Sequence, residues 1–391
     1  MRLGIDRLSC YTSRYFLDTK TLATRRNVDY DKYALGLGQK AMSVAAPGED
    51  VVTLGANAAL PLCEEPEALS GVEWLIFATE SGVDASKAAG LYVHRLLGLP
   101  STCRVVEVKQ ACYGSTAALQ MALAFTARFP EKKVLVIAAD IARYGLNTPG
   151  EVTQGCGAAA FLVSAHPRLL VIHKESGVYT EDVMDFWRPP HQREALVDGK
   201  LSTRQYIKAL LASWKDYERC SGRKFGDFAH YCYHLPFPRM AEKAHLRLAH
   251  ANRVLIEEEA LQPSIADSLH YSRLIGNSYT ASLFIGLASL LDHAQHNLSG
   301  QGIGMFSYGS GCVGEFFSGI AAPSYHDYTA AERHRKLMTQ RSELTYEQYE
   351  DFYRFVVPQD KGYHYFPDTY ETGSFRLAGI EGYKPIYERV G

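Results

Sequence analysis

A cysteine stands between a strand-like and a helix-like segment in the first third of the chain. Residues 104–108 (RVVEV) have the β-branched composition of a strand, and Cys112 follows four residues later. From Gly114 onward an apolar rhythm of helical period begins. Unpaired N–H groups and the positive end of the helix dipole at such a turn both favour a thiolate. The pattern predicts an activated nucleophile at Cys112; the alternative is a small buried cysteine at a strand end.

A carboxylate follows another strand-like segment. Residues 74–78 (WLIFA) are wholly apolar, and Glu80 comes two residues after them. A carboxylate in this position is either a helix N-cap or a base, and Asp84 is also placed to cap the helix that follows. The residues alone leave both interpretations of Glu80 open.

Two histidines and a cysteine alternate near the middle of the chain. His230, Cys232 and His234 occupy every second position, so on a strand all three face the same way. This spacing raises the hypothesis of a metal site, but no other Cys/His pair stands out to complete a ligand shell. We therefore predict no metal site and regard His234, at the strand end, as a candidate acid, base or hydrogen-bond donor.

Two further segments contribute polar groups. Asn277 opens a helix-like segment, where it can serve simply as a cap. Residues 306–317 (FSYGSGCVGEFF) are rich in glycine but lack the GK[ST] of a P-loop, so they suit backbone amides that point at an oxyanion. Thiol, carboxylate, imidazole and amide donors together are the parts needed for thioester chemistry with carbanion formation.

The elements that must position these groups alternate between strands and helices. Apolar strand-like segments followed by helices indicate an α/β architecture with largely parallel sheets, and the pattern restarts after about residue 170. Residues 182–199 lack a clean period and contain two prolines, which is typical of a long functional loop. Predicted strands cover residues 3–5, 74–78, 134–139, 228–234 and 303–307, and predicted helices cover residues 51–62, 85–97, 202–219, 240–250 and 277–293, with further helical spacing over 325–355.

Composition excludes several classes of protein. The 391 residues are 47% hydrophobic, with 41 Lys+Arg against 43 Asp+Glu, so a nucleic-acid partner is not expected. No run of apolar residues approaches a membrane span, and the first residues lack the apolar core of a signal peptide. The eight cysteines form no CxxC pair, which indicates free thiols in a reducing compartment. We expect a cytoplasmic protein without a membrane segment.

Seven segments spread along nearly the whole chain carry a family resemblance: VKQACYGSTAAL, ATESGVDASKAA, DIARYGLNTPGEVTQGCGA, FWRPPHQREALVDGKLS, the His234 segment, GNSYTASL and FSYGSGCVGEFFSG. These motifs, in family order, resemble those of hydroxymethylglutaryl-CoA synthase in its short bacterial form. The resemblance implies an α/β, thiolase-like fold in which two similar halves, residues 1–170 and 171–391, form a five-layered αβαβα sandwich. It also implies a homodimer that uses acetyl-CoA and acetoacetyl-CoA, with no metal or redox cofactor.

The resemblance also implies roles for the candidate residues. Cys112 is expected to be acetylated by acetyl-CoA, and Glu80 to remove a proton from the acetyl methyl. His234 is expected to bind and polarise acetoacetyl-CoA, before water releases 3-hydroxy-3-methylglutaryl-CoA. The amides of Cys112 and Ser310 match the oxyanion donors of the family.

The other positions implied by the family bind substrate or its CoA. Tyr30 departs from the family, where relatives often have a small residue, and Pro190-His191 interrupts the arginine-proline loop. Without the resemblance, Lys243 would be interpreted as a solvated helix lysine. The implied substrate-binding residues are Asp29, Tyr30, Lys32, Thr153, Ser202, Lys243, Asn277 and Ser310.

Three alternative functions compete with this prediction. The first is the same condensation on acyl-carrier-protein substrates, as in polyketide β-branching. The second is a ketoacyl synthase III with a Cys-His-Asn site, which the presence of Glu80 argues against. The third, a degenerate binding homologue, would require the loss of Glu80, Cys112 or His234. Six basic residues around His234 in the sequence suit the phosphates of CoA, although they could also serve a carrier protein: Arg219, Arg223, Lys224, Arg239, Lys243 and Arg247.

Overall fold

The computed structural model describes residues 1–64, 69–256 and 261–390. The strands of this part are β1 (Leu3–Tyr11), β2 (Tyr15–Asp18), β3 (Ala41–Ser43), β4 (Val72–Ala78), β5 (Arg104–Val108), β6 (Lys133–Ala142), β7 (Gly155–Ala165), β8 (Leu170–Ile172), β9 (Gly177–Thr180), β10 (Phe186–Trp187), β11 (Leu196–Val197), β12 (His230–Tyr233), β13 (Gly302–Gly309), β14 (Val313–Ala321), β15 (Ser342–Glu343), β16 (Tyr363–Tyr365), β17 (Phe375–Glu381) and β18 (Lys384–Arg389). The α-helices are α1 (Thr19–Arg26), α2 (Asp31–Ala34), α3 (Val51–Cys63), α4 (Ala89–Leu96), α5 (Gly114–Arg128), α6 (Gly199–Ser221), α7 (Pro238–Ala251), α8 (Pro263–Ala266), α9 (Ser272–Ile275), α10 (Ser282–His293), α11 (Ala331–Thr339) and α12 (Tyr346–Arg354).

A hydrogen-bonded sheet runs through both halves of the chain. Its strand order is β12-β13-β14-β8-β1-β7-β6-β4-β5, and β9 also pairs with β14. The short strand β8 joins the halves, because it pairs with β1 on one side and with β14 on the other. The half boundary predicted between residues 170 and 171 lies at this strand and stays a prediction.

The sheet is mixed, whereas the sequence predicted largely parallel sheets. Strand β4 pairs in parallel with β5 and β6, but β7 runs antiparallel to both β6 and β1. The connection from β6 to β7 contains only a 3-10 turn, Glu151–Thr153, and no crossover helix. Because a parallel pair needs a long crossover, the chain returns antiparallel at this point.

Side-chain alternation along the strands arranges the fold in five layers. In β4, Leu75 and Phe77 pack with α3 and α4, while Ile76 faces the opposite way, toward α5 and α10. In β13, Met305 points into that same central helical layer, whereas Phe306 packs with α6 and α7 on the other side. The layers are therefore α3/α4, the N-terminal strands, α5/α10, the C-terminal strands and α6/α7, as the thiolase-like prediction required.

Two glycines allow the outer helices to approach the sheet closely. A Cβ on Gly55 of α3 would lie 2.8 Å from the ring of Phe77, and one on Gly90 of α4 would lie 2.7 Å from Leu75. Only glycine leaves room for this contact between helix backbone and strand side chains.

Two helices begin later than the sequence predicted. Helix α4 begins at Ala89 and not at residue 85, because Asp84 accepts hydrogen bonds from the amides of Ser86 and Lys87 and stabilises a turn ahead of it. Helix α10 begins at Ser282 and not at residue 277, since residues 279–281 form a 3-10 turn. In the described ranges no helix is both long enough and apolar enough to cross a membrane.

Candidate active site

The side chains of Cys112 and Glu80 are in direct contact. Cys112 lies between β5 and α5, and Glu80 lies two residues beyond β4. Since β4 and β5 are adjacent parallel strands, their carboxyl ends meet at one edge of the sheet. The Cys112 thiol donates a hydrogen bond to Glu80 Oε1 at 3.2 Å, and both residues are buried. The structure thus brings together the thiol and the carboxylate that the sequence had singled out separately.

The surroundings hold a proton on both groups. Burial raises the pKa of Glu80 to about 8, and the nearby Asp140 carboxylate contributes to the shift. Burial and the Glu80 charge raise the pKa of the Cys112 thiol well above its usual value. The expectation of a resting thiolate is therefore wrong: loss of solvent and a neighbouring carboxylate outweigh the favourable helix end.

Asp140, which the sequence analysis did not single out, anchors the backbone around Glu80. Its carboxylate accepts hydrogen bonds from Thr79 Oγ1 at 2.8 Å and from the Glu80 amide at 2.9 Å. It also accepts from the Thr280 amide at 3.0 Å and from the Thr280 hydroxyl. Asp140 thereby ties the end of β4 to the turn before α10. An aspartate inside the apolar run of β6 was the signal that could have revealed it.

His234 follows β12 and is fixed from two directions. Its Nδ1 shares a 2.6 Å hydrogen bond with Ser282 Oγ, and its carbonyl accepts from the Tyr206 hydroxyl at 2.8 Å. Burial lowers the pKa of His234 to about 3, so the imidazole is neutral. Three residues before Ser282, Tyr279 packs against Cys112. The turn 279–282 therefore connects the imidazole and the thiol, and Ser282 is a positioning residue that the sequence analysis missed.

Asn277 belongs to the aromatic surroundings of the thiol. Its Nδ2 donates to the Tyr144 hydroxyl at 2.9 Å, and its Oδ1 accepts from the Tyr279 amide at 2.8 Å. Tyr144, Tyr279 and Phe186 meet edge to face, with ring centroids 5.7 to 6.3 Å apart, and the Cys112 side chain packs against this cluster. The expectation that Asn277 caps the helix is therefore wrong, because α10 begins only at Ser282; the Asn277 side chain instead stabilises the turn before it and holds Tyr144.

The glycine-rich loop after β13 lies against the Cys112 turn. Gln110 Nε2 donates to the Ser310 carbonyl at 3.2 Å. A Cβ on Gly309 would lie only 2.6 Å from Tyr113 Cβ and 2.7 Å from its nitrogen. This close approach places Ser310 beside the turn that carries the thiol, as an amide donor for an oxyanion requires.

The long loop predicted over residues 182–199 reaches the same place. Asp185 accepts a hydrogen bond from the Gly311 amide at 2.9 Å, and Phe186 belongs to the aromatic cluster at Cys112. The loop contains the short strand pair β10–β11, and helix α6 already begins at Gly199. The loop is therefore part of the wall of the candidate site.

The remaining predicted substrate-binding residues lie on other segments of the chain, outside the turn that carries Cys112. The Thr153 carbonyl accepts from the Asn277 amide at 3.0 Å, and Ser202 lies half-buried in the first turn of α6. Asp29 and Tyr30 precede the short helix α2, which contains Lys32. The loop after α2 contacts the start of α7, where the Arg239 amide donates to the Leu37 carbonyl at 3.0 Å. Helix α7 also carries the exposed Lys243.

The six basic residues do not form one patch around His234. Residues 219–224 lie before β12, whereas His234 follows it, so they belong to the opposite end of that strand. Of these six, Lys243 and Arg247 have no acidic partner among the residues that the structure describes. The other four are paired as Arg219–Asp216, Arg223–Glu175, Lys224–Glu218 and Arg239–Glu242.

The alternating residues of β12 do not share a site. Cys232 is fully buried in the core, and His230 Nε2 lies 3.1 Å from His296 Nε2, at the strand end away from His234. Four residues of a strand span about 13 Å, too far for one ion to bind both ends. In the part of the chain that the structure describes, no group of three or more His, Cys, Asp or Glu side chains could hold a metal ion.

Comparisons with family models and with curated proteins cover most of the chain and give the same family. The family model described as hydroxymethylglutaryl-coenzyme A synthase N terminal matches residues 1–167, and the model described as its C terminal matches residues 170–270 and 251–355. The chain is 41% identical over 360 residues to the hydroxymethylglutaryl-CoA synthase of Enterococcus faecalis, covering 92% of this chain and 94% of that one.

Two further similar proteins differ in the thioester carrier that their names mention, an acyl carrier protein in one and CoA in the other. The polyketide biosynthesis 3-hydroxy-3-methylglutaryl-ACP synthase of Bacillus subtilis (strain 168) is 36% identical over 371 residues, covering 89% of this chain and 87% of that one. A crystal structure of an HMG-CoA synthase complexed with CoA superposes with a TM-score of 0.93 at 40% identity, covering 100% of both chains. The chain belongs to the hydroxymethylglutaryl-CoA synthase family.

Proposed function

We propose that this chain condenses acetyl-CoA with acetoacetyl-CoA and water to give 3-hydroxy-3-methylglutaryl-CoA and CoA, as a step of the mevalonate route to isoprenoids. The observation that carries the proposal is the hydrogen bond between the buried Cys112 thiol and the Glu80 carboxyl at the ends of two parallel strands. Membership of the family supports the choice of reaction. No metal or redox cofactor is part of the proposal.

The first half-reaction forms an acetyl-enzyme. Cys112 Sγ bonds to the acetyl carbon of acetyl-CoA, the carbon–sulfur bond to CoA breaks, and CoA leaves with the proton that the thiol gave up. The amides of Cys112 and Ser310 stabilise the negative charge that develops on the thioester oxygen. The close packing of the 309–312 loop on the Cys112 turn supports this role.

The second half-reaction makes the carbon–carbon bond. Ionised Glu80 removes a proton from the acetyl methyl, and the resulting carbanion attacks the ketone carbon of acetoacetyl-CoA. The neutral imidazole of His234 donates a hydrogen bond to the ketone oxygen and assists its protonation. Its low pKa and its bond to Ser282 support this use as a neutral donor. Water then cleaves the thioester to Cys112 and releases the product.

The CoA thioester, and not an acyl carrier protein, is the proposed substrate. An acidic carrier protein needs a basic docking face, but four of the six basic residues around His234 in the sequence are paired with acids. Lys243 and Arg247, one turn apart on the exposed face of α7, suit the phosphates of CoA. Asp29, Tyr30 and Lys32 complete the proposed CoA contacts, since the loop that follows them contacts the start of α7. Thr153, Ser202 and Asn277 are proposed to contact the acyl part of the substrate.

Product analysis and a competition test the proposal. The protein mixed with acetyl-CoA and acetoacetyl-CoA should form 3-hydroxy-3-methylglutaryl-CoA, and intact-protein mass spectrometry should show one acetyl adduct that is absent in Cys112→Ala. An adduct that persists in that variant would exclude Cys112 as the nucleophile. With acetoacetyl-CoA and acetoacetyl carrier protein at equal concentration, kcat/KM should favour the CoA substrate. A large preference for the carrier protein would select the alternative function.

Assembly and location are further parts of the proposal. A homodimer in the cytoplasm follows from the family resemblance, and free cysteines are consistent with a reducing compartment. Light scattering on the purified protein should give twice the 43.5 kDa chain mass. A monomer at micromolar concentration would contradict the dimer.

A further inference from the structure

A partly buried ion pair outside the catalytic residues joins the end of α1 to the 3-10 turn between β6 and β7. Arg26 donates from Nε to Glu151 Oε2 and from Nη2 to Glu151 Oε1, both at 2.7 Å. The Glu151 carboxylate also accepts from the Asn147 amide at 2.8 Å and from the Tyr349 hydroxyl at 3.0 Å. With its side chain 2% exposed and four donors on its two oxygens, Glu151 is fully engaged as an acceptor.

Arg26 lies just before the proposed CoA-binding residues in the sequence. Arg26 is the last residue of α1, and Asn27, in the left-handed conformation with φ 52°, ends the helix. Residues 29–32 follow immediately. A planar guanidinium held at two of its three nitrogens therefore fixes the direction in which this segment leaves the helix.

The glutamate side leads toward the thiol. Glu151 opens the 3-10 turn whose last residue, Thr153, accepts the Asn277 amide through its carbonyl at 3.0 Å. The Asn277 side chain in turn holds Tyr144 in the cluster around Cys112. Glu151 is therefore connected by the main chain and two hydrogen bonds to the surroundings of the nucleophile.

Helix α12 covers the pair and reinforces it. The Tyr349 hydroxyl donates to Glu151 and accepts from Gln154 Nε2 at 3.0 Å, and Gln154 Oε1 accepts from the Tyr144 amide at 2.8 Å. The Arg26 guanidinium also lies 5.0 Å from the ring centroid of Tyr346 on the same helix. These contacts hold the Arg26 and Glu151 side chains in a single conformation.

We propose that the Arg26–Glu151 pair positions the segment 29–32 for the nucleotide part of CoA thioesters, relative to the loop 143–154 at the thiol. Both are positioning residues, because they act through the segments they hold. A buried ion pair adds little net stability compared with apolar packing, so its geometry is the property that matters. The inference rests on the proposed function in one respect, that the ligand of the site is CoA.

The test compares Glu151→Gln with the unaltered protein by calorimetric titration with CoA. The amide keeps the shape of the side chain but removes its charge and one acceptor atom. We expect CoA to bind about tenfold more weakly, which corresponds to about 1.4 kcal/mol. KM for acetyl-CoA should rise by the same factor, whereas KM for an acetyl-pantetheine thioester, which lacks the nucleotide, should not change. A loss of folded protein alone would lower kcat for both substrates and change neither KM.

A second ion pair provides a matched control. Arg168 donates from Nε and Nη2 to the two oxygens of Asp6, at 2.8 and 2.6 Å, and the Asp6 side chain is 4% exposed in β1. Asp6→Asn should lower the melting temperature without weakening CoA binding. Arg26→Lys, which keeps the charge but loses the planar fork, should weaken CoA binding less than Glu151→Gln and serves if the latter does not fold.

Three results would overturn the inference. The first is that Glu151→Gln, or Arg26→Lys if it replaces that variant, binds CoA within twofold of the unaltered protein. The second is that Asp6→Asn loses as much CoA affinity as Glu151→Gln. The third is that KM for the pantetheine thioester rises as much as KM for acetyl-CoA. Failure of the proposed reaction has a different signature. If the unaltered protein binds CoA but forms no 3-hydroxy-3-methylglutaryl-CoA, the reaction is wrong while the calorimetric comparison still decides the role of the pair.

Discussion

A thiol and a carboxyl group that share a hydrogen bond determine the chemistry available where β4 and β5 end. Both groups keep a proton near neutral pH, because burial penalises each of their charged forms and Asp140 adds to the effect. A protonated resting pair protects the nucleophile from nonproductive reactions, since the thiolate is the reactive species. The proposed acetylation removes the thiol proton and changes the surroundings in which Glu80 acts.

Glu80→Ala should separate the two half-reactions. Without the carboxyl, Cys112 still lies at its turn and should take up acetyl from acetyl-CoA, but the methyl proton has no base. Product formation should fall by about 10²–10⁴, the usual effect of losing a positioned base. Mass spectrometry of the acetyl-enzyme and product analysis measure the two steps separately. An equal fall in acetyl uptake would mean that Glu80 activates the thiol or supports the turn.

The raised pKa of Glu80 also predicts a pH dependence of stability. The folded protein holds the proton up to about pH 8, whereas an unfolded chain releases it near the ordinary value of 4.5. The protonated carboxyl therefore contributes stability at acid pH that is lost as pH rises from about 4.5 through about 8. Relative to Glu80→Gln, which does not titrate, the unaltered protein should become less stable from pH 5 to pH 8 in denaturant unfolding. A constant difference between the two proteins would show that the pKa of Glu80 is not raised.

At the scale of elements, helix α10 and the turn before it couple separate parts of the site. The turn packs on Cys112 and bonds to Asp140, and the first residue of the helix, Ser282, holds His234. Because α10 lies in the central layer between the two sets of strands, its N-terminus can reach groups carried by both halves.

Ser282→Ala should impair the condensation more than the acetylation. Without the hydroxyl, His234 Nδ1 loses its partner, so the tautomer and ring orientation of the imidazole are no longer defined. Product formation should fall about tenfold, for a lost bond of about 1.4 kcal/mol, while acetyl uptake stays near normal. Ser289→Ala on the same helix is the control, since Ser289 is also buried but bonds to the Asp267 carbonyl. A similar fall in both variants would point to loss of the helix.

At the scale of the whole molecule, the central helical layer holds the two sets of strands together. Phe284 of α10 stacks on Phe161 of β7, with ring centroids 4.4 Å apart, and both side chains are completely buried. Residues from β4, β6, β13 and β14 belong to the same hydrophobic cluster. Packing in this layer therefore supports both halves and the site between them.

Phe284→Ala should destabilise the entire fold. The lost burial and the remaining cavity cost about 3–5 kcal/mol in comparable cores. Chemical denaturation should show one cooperative transition at lower denaturant, and Val356→Ala, at a position 59% exposed, should change stability by less than about 0.5 kcal/mol. Two separated transitions in Phe284→Ala would indicate that the halves unfold independently.

Local patterns in the sequence predicted the α/β class and most helices and strands. They also identified Cys112, Glu80 and His234, each by itself, as candidate catalytic residues. These follow from periodicity, turn residues and residue chemistry, which act over a few positions. The motifs also identified the family, and through it the five layers that the core clusters confirm.

Only the tertiary structure decided which polar groups meet and in which protonation state. The thiol pKa rises because strands far apart in the sequence bury Cys112 beside Glu80 and near Asp140, and desolvation cannot be deduced from neighbours along the chain. For the same reason Ser282 at His234, and Glu151 at Arg26, 125 residues away, left no local signal. The basic residues around His234 in the sequence do not form one patch, for two reasons that only the folded chain shows. Acidic partners neutralise several of them, and strand β12 places residues 219–224 and His234 at opposite ends.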